Sequence, residues 1–158
     1  MTLATIDLQI ASEHTRCPSV SQLKLWVESS LQEMDEKEDQ ELTIRIVDEQ
    51  ESQSLNKQYR GKDKPTNILS FPFESPAQIE LNLLGDLVIC APIVSREAKE
   101  QEKSEISHWV HMVVHGTLHL QGFDHIEDDE AEAMEALEIK ILNTLGFQNP
   151  YLIEEKNN

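Results

Sequence analysis

A chain of 158 residues has the length of one ordinary domain and can bury a single core without help from disulfides. Its 39% hydrophobic content, with only 5 Gly and 6 Pro, excludes a disordered or fibrous chain. A formal net charge of -17 excludes a general polyanion-binding surface, because such surfaces draw on clustered Lys and Arg, so any nucleic-acid contact has to be local.

In chain order, residues 4–12 (ATIDLQIAS) alternate apolar and polar in the manner of a half-buried strand. Residues 17–37 read as an amphipathic helix, with Ser19 and Gln22 forming a capping-box start after Pro18. ELTIRIVDEQ is a second alternating strand carrying Leu42, Ile44 and Ile46 on one face. Asp48 and Glu51 are then expected to cap a short helix through SLNKQYR. GKDKPTN breaks regular structure, since Gly61 permits unusual dihedrals and Pro65 biases Lys64 away from the helical region. ILSFPF and LLGDLVICAP are short enough for strands, separated by a polar loop around residues 75–80, and Pro72 favours an edge position for the first.

From Pro92 onward the pattern is helical. IVSREAKEQEK is expected on the surface and ISHWVHMVVHGTLHLQG in the core. Acidic residues crowd the start of IEDDEAEAMEALEIKILNTLGF, where they complement the helix dipole, and Gly146 stands at the expected C-cap. Early strands and late helices predict an α+β protein with a mixed sheet of about four strands, covered mainly on one face, in a single domain spanning residues 1–158. Cys17 and Cys90 sit in unlike contexts and suggest no disulfide framework. The N-terminus lacks a basic-then-apolar leader, and the longest apolar stretch is too short for a bilayer, so a soluble cytoplasmic protein is expected.

The chemistry concentrates in HGTLHLQGFDH, residues 115–125. Positions four apart on a helix lie one above the other, so His115 and His119 form a ready pair of nitrogen ligands. Gly122 can end the helix and turn the chain so that His125 supplies a third ligand, leaving a tetrahedral zinc with one open position. His111 and His108 read as structural or supporting groups, with His111 the competing ligand. Asp124 is a candidate orienter of a ligand imidazole or, equally, the cap of a turn. The spacing matches that of a zinc-peptidase helix, but the glutamate serving there as general base is Gly116 here, which weakens a peptidase reading. Phosphodiester hydrolysis asks instead for a Lewis acid and a nearby cation. Lys57, Arg60, Lys62 and Lys64 supply the cation in an otherwise acidic chain.

HGTLHLQGFDH, LNKQYRGKDKPTNILSFPF (residues 55–73), LGDLVICAP (84–92) and the GFQNPY ending together resemble the bacterial YbeY endoribonucleases, or rRNA maturation factors. The resemblance implies a zinc ion on His115, His119 and His125, with Arg60 beside the metal for catalysis. It also implies single-strand-specific cleavage of RNA, in maturation of the 3′ end of small-subunit rRNA and in late ribosome quality control. The implied partners are the small ribosomal subunit, one of its proteins, and the GTPase Era. Two other classes stay open on the residues alone: a metallopeptidase-like hydrolase, and an assembly factor with a structural metal. Asp86 is either a further wall of the same cleft or a structural residue of its strand.

Overall fold

The structure, a computed structural model, describes residues 3–14, 17–36, 38–74, 82–123 and 128–151. Among them the elements run β1 (Ala4–Ala11), α1 (Val20–Glu33), β2 (Gln40–Val47), α2 (Glu49–Arg60), β3 (Ile68–Pro72), β4 (Leu83–Cys90), α3 (Ala91–Glu100), α4 (Glu105–Leu120) and α5 (Asp128–Thr144). The strands form one sheet in the order β1-β2-β4-β3. β1, β2 and β4 are mutually parallel, and β3 runs antiparallel to β4. This is the mixed α+β arrangement expected, and α1 provides the crossover that a parallel β1–β2 pair requires. The expected loop at residues 75–80 lies outside the described residues.

Alternation in the strands sorts their side chains onto two unequal faces. Leu42, Ile44, Ile46, Leu87 and Ile89 pack with Leu23 and Trp26 of α1, Trp109 and Val113 of α4, and Met134 and Ile141 of α5 in the main core. The opposite face holds a smaller cluster of Val47, Leu69, Val88 and Cys90 against Leu55 of α2. Burying each such aliphatic side chain contributes about 1.5–3 kcal/mol, so α1, α4 and α5 are held far more strongly than α2. No helix among the described residues is long and apolar enough to cross a membrane.

Polar side chains set the details. Ser19 and Gln22 make the capping box reciprocally, at 3.2 Å and 2.9 Å. Asp48 does stand at the N-cap of α2, yet its side chain makes no cap hydrogen bond. Its carboxylate instead accepts from Ser12 Oγ and the Glu13 N–H beyond β1, which hold its pKa below the usual range. Glu51 turns to Arg45, accepting from Nε at 2.5 Å and Nη2 at 3.0 Å.

The loop after α2 is pinned from below by two buried polar residues of that helix. Ser52 Oγ both accepts from Thr66 N and donates to Thr66 O at 2.9 Å, and Asn56 Nδ2 donates to Lys64 O at 2.8 Å. Gly61, with φ 71°, lets the chain leave α2 directly after Arg60.

Gly85 has a sharper requirement. Its φ is 139°, and a Cβ there would lie 2.2 Å from the Phe71 carbonyl oxygen on the neighbouring strand. Gly85→Ala combines a backbone clash with a disfavoured dihedral and should lower unfolding stability by about 3 kcal/mol or more, read from denaturant midpoints. A midpoint within error of the parent chain would contradict this.

Candidate active site

From His108 to Leu120, every residue of α4 is buried except His115 and His119, one helical turn apart. The helix lies close on β3 and β4 because Gly116 has no side chain. A Cβ at Gly116 would fall 2.6 Å from Ile68 Cδ1 and 2.8 Å from Leu87 Cδ2. The position that carries a catalytic glutamate in zinc peptidases is therefore filled by packing, and no carboxylate can stand there in this backbone.

The Nε2 atoms of His115 and His119 face each other at 3.0 Å. On its other nitrogen, His115 Nδ1 donates to Glu138 Oε1, which leaves the Nε2 lone pair pointing outward in the neutral ring. Four-coordinate metal ions with N bonds of about 2.0–2.1 Å hold ligand nitrogens roughly 3.3 Å apart, so the pair fits as two neighbouring ligands. Glu138 is the buried carboxylate that commonly orients such a ring. Among the described residues no group of three His, Cys, Asp or Glu side chains is placed to hold a metal. His125 and Asp124, the expected third ligand and its neighbour, lie outside the described residues. α4 ends at Leu120, and Gly122, with φ 103°, turns the chain there as expected.

Glu138 sits among Met134, Ile141 and Leu142 on the buried side of α5. Burial alone would raise its pKa, but hydrogen bonds and charge from His111 and His115 outweigh that and bring it to about 2. Its second oxygen accepts from the Tyr151 hydroxyl. His111 Nε2 stands 3.5 Å from that oxygen and 3.4 Å from the Tyr151 hydroxyl, so His111 supports Glu138 and does not line the cavity. Burial lowers the His111 pKa despite this carboxylate.

A second supporting chain starts from His108. Its Nε2 is 2.9 Å from Glu97 Oε1, and Glu97 in turn accepts from Asn67 Nδ2 at 3.1 Å. Asn67 Oδ1 accepts the Ile68 N–H at 2.7 Å, fixing the first residue of β3.

The two histidines open on a cavity of about 560 Å³ whose other walls include Arg60, Thr66, Asn67, Ser70, Pro72 and Phe123. Of the four clustered cations only Arg60 reaches it. Lys57 instead lies 3.9 Å from Asp63, with both side chains exposed. In a chain of net charge -17, no described residue lining this cavity is Asp or Glu. Asp86 is not part of it. Strand alternation sends Leu87 toward α4 and Asp86 to the opposite sheet face, where it borders a groove with Asp7, Glu41 and Glu74. The sequence reading missed Glu138, Tyr151 and Ser70. For Glu138 a signal existed, because a glutamate four residues after Met134 and three before Ile141 falls on the apolar side of its helix.

Residues 9–146 match the family described as Endoribonuclease YbeY. A Colwellia psychrerythraea (strain 34H) protein described as Endoribonuclease YbeY is 58% identical over 149 residues, covering 93% of this chain and 96% of that one. The solution structure of TM1509 from Thermotoga maritima is similar with a TM-score of 0.53 at 27% identity, over 88% of this chain and 91% of that one.

The Glu97 chain has a consequence for acid stability. Burial raises the Glu97 pKa, but hydrogen bonds from His108 and Asn67 outweigh it, and the net position is below the ordinary 4.5. A lowered folded-state pKa means that the ionised carboxylate stabilises the fold above the unfolded-state pKa, and that this contribution fades as pH falls through the folded value. Glu97→Gln should therefore flatten the loss of thermal stability below about pH 4.5. Parallel melting-temperature curves for the two proteins across pH 3 to 6, a range of about three units around that pKa, would contradict the assignment.

Proposed function

We infer the function from one premise: the chain belongs to the YbeY endoribonuclease family and is a hydrolase acting on RNA. We propose that the histidine cavity is its active centre, a zinc site held by His115, His119 and His125 that cleaves single-stranded RNA. The observation that supports this reading best is the charge of the cavity. Carboxylates crowd the chain, yet the walls around the two imidazoles present Arg60, hydroxyls and an amide, a surroundings suited to a phosphodiester.

The residues divide the work by position. When bound, such an ion supplies Lewis acidity toward a phosphoryl oxygen. Glu138 keeps His115 in the tautomer whose Nε2 is a lone pair, and Tyr151 and His111 keep Glu138 in place. Arg60, exposed at the end of α2 and without an ion-pair partner among the described residues, is free to meet negative charge developing on the phosphate.

The biological setting follows from the family resemblance: processing of small-subunit rRNA, notably its 3′ end, and late ribosome quality control in the cytoplasm. A small-subunit ribosomal protein and the GTPase Era would deliver an enzyme whose own surface is too acidic to gather RNA. A single domain accommodates all of this.

Two experiments test the reading. Purified, metal-quantified protein should cut single-stranded rRNA, whereas His119→Ala and Arg60→Ala prepared identically should lose activity by about 10²-fold or more while keeping the parent circular-dichroism spectrum. Equal cutting by all three would assign the activity to a contaminant. Separately, Glu138→Gln should weaken zinc binding by about 10- to 100-fold in competition with a chromophoric chelator. An unchanged affinity would remove Glu138 from the site.

A further inference from the structure

β3 is the edge of the sheet beside the histidines, and its outer rim offers few main-chain donors. Its register with β4 pairs Ile68 with Ile89, Ser70 with Leu87 and Pro72 with Gly85. The Cys90 N–H donates to Asn67 O, and the Phe73 N–H donates to Leu84 O. In an antiparallel ladder the bonded positions alternate, so residues 67, 69, 71 and 73 turn their main-chain groups toward β4. Ile68, Ser70 and Pro72 turn theirs outward. The Ile68 N–H is taken by Asn67 Oδ1, and Pro72 has no N–H to offer. On the outer rim of β3 that leaves one main-chain donor, the Ser70 N–H.

Ser70 lines the same cavity as His115, His119 and Arg60. Its hydroxyl has no hydrogen-bond partner among the described residues. One residue thus presents a rigid main-chain N–H and a rotatable hydroxyl to a cavity whose described lining has a guanidinium and no carboxylate.

We propose that Ser70 is a phosphate-binding residue of the reaction. Its N–H and hydroxyl hold non-bridging oxygens of the RNA phosphodiester beside the His115–His119 pair, with Arg60 meeting the same group. The assignment rests on the endoribonuclease reading and deepens it. The donor is fixed on a strand whose entry is locked by Asn67 and Glu97, so no reorganisation is needed when charge builds on the phosphate. It also gives Pro72 a role: by ending the row of donors it discourages another strand from pairing along this edge and covering the site.

The test uses the full chain and a short single-stranded RNA carrying one phosphorothioate at the mapped cleavage position, separated into its two diastereomers. Ser70→Ala removes the hydroxyl, and Ser70→Pro removes the N–H as well without touching the β4 side of the ladder. Cleavage efficiency (kcat/KM) on unmodified RNA should fall about tenfold for Ser70→Ala and about a hundredfold for Ser70→Pro. Affinity for the uncut RNA in chelator should fall with it, and the preference between diastereomers should shrink, which a purely structural defect would not produce. If Ser70→Pro does not fold, the diastereomer preference of Ser70→Ala decides alone. Wild-type-like binding and cutting by folded variants, or lost rate with an unchanged diastereomer preference, would overturn the proposal while leaving the endoribonuclease reading intact. A wild-type protein that neither binds nor cuts the RNA would remove both.

Discussion

The close approach of α4 to β3 and β4 governs everything at the site. That approach is possible because Gly116 carries no side chain where Ile68 and Leu87 press against the helix. It sets the imidazoles of His115 and His119 over the edge strand, with the outward rim of β3 on one side and the end of α2 on the other. The same contact explains why a helix with peptidase-like histidine spacing has no peptidase base: the place of the glutamate is used for packing. Fold stability and choice of chemistry thus meet at one glycine.

Around this contact, buried polar groups act as pegs and not as catalysts. Ser52 and Asn56 tie the loop of residues 61–67 to α2, and Asn67, Glu97 and His108 tie the start of β3 to α3 and α4. Glu138 ties α5 to α4 through His115. Each peg ends within one or two residues of a cavity wall, so the polar interior determines where Arg60, Ser70 and the histidines stand. A buried polar group left without its partner costs about 1–3 kcal/mol, which makes these positions rigid. The opposite sheet face keeps an acidic groove with Asp7, Glu41 and Asp86.

Much of this was legible in the sequence, for reasons that differ by residue. Alternation located β1 and β2, Pro72 marked β3 as an edge, and the spacing of His115 and His119 gave their shared face, because these are consequences of local geometry. The family resemblance singled out Arg60 from its neighbouring lysines, and Arg60 lines the cavity, its role there being part of the proposal. Asp48 kept its place but not its role, since a hydrogen bond to Ser12 across 36 residues displaced the local cap. Asp86, left open between a wall of the cleft and a structural place in its strand, lies on the sheet face opposite the histidines, because only the packing of α4 decides which side of β4 faces the site. Glu138 and Ser70 depend on contacts between elements far apart in the chain. The third histidine, His125, lies outside the described residues, and its place at the metal remains part of the proposal.

The central claim is that one metal ion sits on the paired Nε2 atoms in a cavity otherwise shaped for a phosphodiester. Anomalous diffraction at the zinc edge from crystals of zinc-loaded protein addresses it most directly. The expected result is a single strong peak about 2.0–2.1 Å from Nε2 of both His115 and His119, with His125 as third ligand and Glu138 behind His115. A peak on Glu138 itself, on the acidic groove near Asp86, or on only one of the two histidines would contradict the claim.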